Sequence, residues 1–185
     1  MGTIKDTKYK IVKNFFTNDE VKLLNNYVKI KHRLNITHFD LRQNKNCDTN
    51  YYADPIMESL LLTKFDLMEK ETNLKLRPTY SYWRMYTKFA DLKKHTDRPS
   101  CEISVTAMIG SDGTPWPIFI GEKEFGLKDG DAVIYLGCDV EHYRKEFQGD
   151  WHAQVFFHYV DANGENKEWW KDKRTLWGEQ VEGDI

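Results

Sequence analysis

The hydrophobic period of the chain changes at Arg77-Pro78, and this change constrains the fold more than any other feature. Ahead of it apolar residues recur at helical spacing; behind it they recur every second residue. TYSYWRMYT (79–87) and CEISVTAMIG (101–110) alternate, so that Ile103, Val105, Ala107 and Ile109 share one face. WPIFIG, DAVIYLG and WHAQVFFHYV follow, separated by the turn signals SDGT (111–114), GEKEFGLKDGD (121–131) and QGD (148–150). These are short antiparallel strands. Ahead of them, Thr17-Asn-Asp-Glu20 is a capping-box pattern, and Val21, Leu24 and Val28 continue it at helical spacing, which predicts a helix over about 18–31. The polar stretch NITHFDLRQNKNCDTNYYAD reads as an irregular loop or a short strand. Asp54-Pro55 then supplies an N-cap and a first-turn proline, and Met57, Leu60, Leu61, Phe65 and Met68 form one apolar face of a second helix ending near Asn73. The tail, NKEWWKDKRTLWGEQ, predicts a final helix or an ordered arm. The expected class is α+β, mainly β. It is a jelly roll in a single domain, 1–185, with helical support over about 15–75 packed on one sheet, a β core over about 79–161 and an arm over 162–185.

Composition narrows the function classes. A chain of 185 residues buries enough surface, roughly 70%, to need no covalent staples. Its three cysteines, Cys47, Cys101 and Cys138, are too scattered for a disulfide framework and fit a reducing compartment. The net charge is −2 with both signs interspersed, so nucleic acid and anionic membranes are not expected partners. No apolar run is long enough to span a bilayer, and MGTIKDTKYK lacks the apolar core of a signal peptide. Asp6 stands where a myristoylation motif needs Ser or Thr, and the sequon Asn35-Ile-Thr37 is expected to stay unmodified. The expected location is cytoplasmic.

The chemistry concentrates in KKHTDRPS. His95 and Asp97, two apart on a strand, point to one side and can reach one metal ion. His142, in GCDVEHYRKEF at the end of the strand DAVIYLG, is the candidate third ligand. Two histidines and one carboxylate on one face of an octahedral ion leave positions open for substrate and oxygen, the arrangement of non-haem Fe(II) oxygenases. His-x-Asp alone is a weak signal in a chain with six histidines; its weight comes from the order of His-x-Asp, β-structure and a later lone histidine. His32 and His38 are expected at the surface of the helical half.

With these motifs in place, the segment from about Tyr80 to Asp161 resembles the double-stranded β-helix core of the 2-oxoglutarate- and Fe(II)-dependent dioxygenases, nearest in layout to the prolyl 4-hydroxylase-like branch. The family pattern reads here as His95-Thr-Asp97 followed by KDGDAVIYLGCDVEHYR, which carries His142. The resemblance implies Fe(II), 2-oxoglutarate and O2, with hydroxylation of an unactivated C–H bond and release of succinate and carbon dioxide. It implies that Tyr86, nine residues before His95, touches 2-oxoglutarate, with Arg84 on the same face. Family members hold the far carboxylate with Arg or Lys about ten positions beyond the distal histidine; here that position is His152. His152 shares an inward face with Gln154, Phe156 and His158, and as an anchor it is expected to work protonated. Arg144 and Arg84 are rival anchors, and Arg144 can equally be a surface partner of Glu141 or Glu146. Arg98-Pro99-Ser100 and the loop of 37–52 should border the mouth. A peptidyl proline, a free amino acid, another small molecule or a nucleobase remains open as substrate. Two other classes stay open: a cupin-type metal jelly roll that does not use 2-oxoglutarate, and a non-enzymatic β-sandwich interaction module.

Overall fold

The computed structural model describes residues 2–38 and 49–179. Cys47 and residues 39–48 of the expected loop lie outside the described residues, as do the side chains of residues 35–38, His38 and the sequon among them.

After a one-turn helix α1 (Ile4–Thr7) and strand β1 (Tyr9–Val12), helix α2 (Asn18–His38) starts at the capping box, where Thr17 N–H donates to Glu20 Oε2 (2.7 Å) and Glu20 N–H to Thr17 Oγ1 (3.2 Å). Strand β2 (Thr49–Tyr52) precedes α3 (Pro55–Thr63), whose first turn is capped by Asp54 Oδ1 accepting from Ile56 N–H at 3.0 Å. The second helix is interrupted. Lys64 (ψ 1°) ends α3 and begins α4 (Phe65–Thr72), and its ammonium turns aside to Glu20 at 2.7 Å. Asn73 closes α4 in the left-handed region.

Strands β3 (Leu76–Thr87), β4 (Leu92–His95), β5 (Ile103–Ser111), β6 (Ile118–Ile120), β7 (Lys123–Phe125), β8 (Ala132–Tyr135), β9 (His142–Arg144) and β10 (Trp151–Asp161) complete the chain. They form a six-stranded sheet in the order β1-β8-β5-β10-β3-β2 and a four-stranded sheet in the order β4-β9-β6-β7. Every pairing among the described residues is antiparallel, as in a jelly roll.

The period of two decides the rest. One face of the large sheet carries Trp83, Val155, Phe157, Tyr159, Ile103, Val105, Ala107 and Ile109, all fully buried. They pack on Leu24 and Val28 of α2, Met57 and Leu61 of α3, Met68 of α4, and Phe15 and Phe16 before α2. Each of the valine, leucine, isoleucine, methionine and phenylalanine side chains contributes roughly 1.5–3 kcal/mol on burial. The opposite face carries Tyr80, Tyr82, Arg84 and Tyr86 on β3, and His152, Gln154, Phe156 and His158 on β10, with Tyr86 opposite His152 and Arg84 opposite Gln154. It looks toward the small sheet, and the site lies between the two.

Several expectations need correcting. GEKEFGLKDGD is not all turn, because β7 pairs with β6 within it. Asp97 lies two residues past the end of β4 rather than in a strand, and its N–H donates to Gly137 O at 2.8 Å. His142 does not end the strand DAVIYLG; it opens β9. Helix α2 runs past residue 31, and His32 is half-buried with Nδ1 2.8 Å from Thr49 Oγ1, so it is not a surface residue. The tail is an arm with 3-10 turns at Lys167–Lys173, and the Arg174 guanidinium beyond it is buried against the Glu58 carboxylate at 2.6 Å. Among the described residues no helix is long and apolar enough to cross a membrane.

Candidate metal centre and adjoining cavity

His95 at the end of β4 and His142 at the start of β9 face each other across the small sheet, ring centroids 4.3 Å apart. Each imidazole donates its Nδ1 proton to the carbonyl two residues earlier: His95 to Lys93 O at 2.7 Å, His142 to Val140 O at 3.0 Å. That fixes the tautomer and aims an unprotonated Nε2 inward. Asp97 Oδ1 stands 3.6 Å from His95 Nε2 and 3.4 Å from His142 Nε2, and one donor atom from each residue falls within 4.8 Å of the others. Bonds of about 2.1 Å in an octahedron require donor separations of about 3 Å, so the two Asp97–imidazole separations lie about half an ångström beyond what such an ion needs. Two imidazole nitrogens and a carboxylate fit a divalent transition metal.

Further residues hold the carboxylate. Ser104 Oγ donates to Asp97 Oδ2 at 2.8 Å and sits 3.0 Å from His158 Nδ1. Gly137 passes so close to Asp97, Ser104 and the Cys101 carbonyl that a Cβ there would collide with all three. Burial works against the charged form of Asp97, but the facing imidazoles of His142 and His95 outweigh it and hold the carboxyl well below its usual range. His95 is raised above its ordinary value, chiefly by its bond to Asp97. Cys101 and His158 also approach Asp97. They are poor rival ligands. Burial pushes the Cys101 thiol up to about 12 and His158 down to about 4, and Ser104 already engages His158 Nδ1.

A cavity opens from these residues. Its walls include Tyr80, Tyr82, Arg84, Tyr86, Tyr135 and Phe156. Arg144, two residues past His142 on β9, lines a neighbouring cavity with Trp116 and His152 rather than this one. It is 4% exposed, so the expected surface pair does not form; Glu141 pairs with Lys94 instead. Its guanidinium donates to Gln154 Oε1 at 2.7 Å and to the Trp116 carbonyl, while Nε and Gln154 Nε2 are buried without a hydrogen-bond partner. Burial lowers Arg144 to about 10 and leaves it cationic near neutrality, and Tyr86 and Tyr135 are close enough to feel its charge. No carboxylate pairs with it among the described residues. An unpaired buried guanidinium is costly unless something anionic arrives.

The other proposed anchors are placed differently. Arg84 lies on the cavity wall with its guanidinium 4.7 Å from the Tyr86 ring. His152 is packed edge-on against Trp116 (5.0 Å) and Phe147 (5.8 Å), and burial, with the nearby Arg144 charge, depresses it to about 3. It is neutral near pH 7 and so does not meet the expectation of a protonated anchor. Sequence reading did not single out Ser104 or Gly137 as supports. The only signals were a serine on the alternating face of β5 and the glycine ending DAVIYLG.

No known family model and no curated protein sequence matches the chain. Solved structures do. HygX from Streptomyces hygroscopicus, with nickel and 2-oxoglutarate bound, superposes with a TM-score of 0.65 at 12% identity over 86% of this chain and 85% of that one. The viral collagen prolyl hydroxylase of Paramecium Bursaria Chlorella virus-1, in its 2-oxoglutarate complex, gives 0.63 at 10% over 85% and 98%. A prolyl-4-hydroxylase of Pseudomonas putida gives 0.58 at 14% over 86% and 97%. At such identities the likeness establishes the fold, the jelly roll of 2OG-Fe(II) oxygenases.

Proposed function

We propose that the protein is a non-haem Fe(II)- and 2-oxoglutarate-dependent oxygenase that hydroxylates an unactivated C–H bond. The observation that carries this reading is Arg144: a buried guanidinium with no carboxylate partner among the described residues, two residues past His142 and close to Tyr86 and Tyr135, which line the cavity that begins at the three convergent side chains. In this reading His95, Asp97 and His142 hold Fe(II). Arg144, with Gln154 and Tyr86 beside it, takes the far carboxylate of 2-oxoglutarate, and its fork geometry suits a carboxylate. When bound, iron and 2-oxoglutarate supply the oxidation: substrate, 2-oxoglutarate and O2 give hydroxylated substrate, succinate and carbon dioxide.

The chain's own part is positional. The Lys93 and Val140 carbonyls accept from Nδ1 of the two imidazoles and so aim both Nε2 atoms at the ion's position, and Ser104 keeps Asp97 turned toward them. A jelly roll that used the same triad without 2-oxoglutarate would leave the Arg144 charge unexplained. The substrate is a peptide or a small molecule, a peptidyl proline being favoured by likeness to the viral and bacterial prolyl hydroxylases. The test is anaerobic loading with Fe(II), then air and 2-oxoglutarate, with succinate measured alone and with proline-containing peptides. Succinate from the parent and none from His142→Ala supports the reading; none from either overturns it.

A further inference from the structure

Beside the iron-site residues, the C-terminal arm inserts a carboxylate. Asp172 Oδ2 accepts from Tyr52 O–H at 2.6 Å and from Arg98 Nη2 at 2.7 Å. Arg98 follows Asp97 directly. Its guanidinium lies 4.9 Å from the Tyr80 ring, Tyr80 packs tilted at 5.0 Å from Tyr52 and at 4.5 Å from His158, and both Tyr80 and His158 line the cavity. Arg98 and Tyr52 therefore form a seat for an anion, one ring away from the cavity.

Asp172 fills this seat poorly. Its side chain is 5% exposed, yet Oδ1 has no hydrogen-bond partner. To bring the carboxylate inward, Lys171, Asp172 and Lys173 adopt φ of 53°, 54° and 62°, three successive non-glycine residues in the left-handed region. Trp170 and Leu176 on either side remain exposed. The arm is pinned beyond this run by the buried Arg174–Glu58 pair, so the segment with Asp172 can lift while the chain after it stays attached.

We infer that the Arg98–Tyr52 seat is a substrate subsite for a carboxylate, and that Asp172 occupies it as an internal competitor which a carboxylate-bearing substrate displaces. This rests on the cavity being the substrate side of the proposed oxygenase site, but seat and competitor are measurable without iron. The seat could receive an acidic side chain or a terminal carboxylate; the chemistry is the same.

The test uses metal-free protein and two probes, N-acetyl-aspartate amide for the side-chain case and N-acetyl-glycine for the terminal one, titrated by calorimetry. An internal competitor scales apparent affinity down to the fraction of time the seat is open. If the seat is closed about nine-tenths of the time, Asp172→Asn tightens the preferred probe about tenfold. Arg98→Gln abolishes binding. In parallel, the probe should speed tryptic cleavage after Lys171 and Lys173 in the parent, and cleavage in Asp172→Asn should already be fast without it. Equal affinity in the parent and Asp172→Asn overturns the competitor; no binding in either, with both proteins folded, overturns the seat. Succinate formation does not enter, so failure of the oxygenase reading is seen separately.

Discussion

Arg144→Met removes the guanidinium and keeps most of the apolar stem. In the parent, two of its nitrogens are committed to Gln154 and the Trp116 carbonyl, and Nε is left for a ligand. A buried hydrogen bond between charged groups is worth about 1.5–3 kcal/mol. At the upper end, losing it weakens 2-oxoglutarate roughly 100-fold. With Mn(II) in place of iron to prevent turnover, 2-oxoglutarate at 100 times the parent's Kd stabilises the parent by about 2.7 kcal/mol. For a chain of this size that is a rise in Tm of about 5–11 °C. At the same concentration the variant sits near its own Kd, gains about 0.4 kcal/mol, and rises by no more than about 2 °C. Thermal unfolding followed by fluorescence reads the difference. Because Arg144 stays cationic, the shift should be flat between about pH 6 and 8; a histidine anchor would lose it as pH rises. If Arg144→Met keeps the full shift while Arg84→Met or His152→Leu loses it, the assignment is wrong.

Arg174→Leu strands the buried Glu58 carboxylate and should destabilise by about 3–5 kcal/mol, whereas Glu58→Leu with Arg174→Leu recovers most of the loss; denaturant melts check both. Gly137→Ala drives a methyl into Asp97, Ser104 and the Cys101 carbonyl and should weaken Mn(II) binding at least tenfold with the fold retained, measured by calorimetry and circular dichroism. His152, depressed to about 3 when folded, binds a proton more readily when unfolded. Its contribution is complete above about pH 6.5 and is lost as pH falls toward 3, at up to about 1.4 kcal/mol per pH unit. His152→Leu should flatten that part of the stability profile; an unchanged profile would count against the buried neutral imidazole.

The strands and the helical support were legible because alternation and capping are local. Ile103, Val105, Ala107 and Ile109 share a face whatever packs on it, and Thr17 and Glu20 bond each other across one turn. Strands β1, β7 and β9 escaped notice: they are only three or four residues long and carry too little alternation of their own. His95, Asp97 and His142 could be named from order alone. The way they meet could not, since Asp97 leaves its strand and is turned by Gly137 and Ser104. Arg144 was harder still. Two residues from a histidine, among Glu141 and Glu146, it reads equally as a carboxylate anchor or as a surface charge; its contacts with Gln154 and the Trp116 carbonyl in the buried interior appear only in the fold. Family spacing pointed to His152, but spacing does not report that Trp116 and Phe147 enclose the ring.

The most direct test of the account is a calorimetric titration with Fe(II) under nitrogen, on the parent and on His95→Ala and His142→Ala. The three donor atoms lie within 4.8 Å of one another and both imidazoles present Nε2, so the parent should bind one ion per chain and each variant should lose it. A parent that binds no iron, or variants that bind it as the parent does, would contradict the central claim.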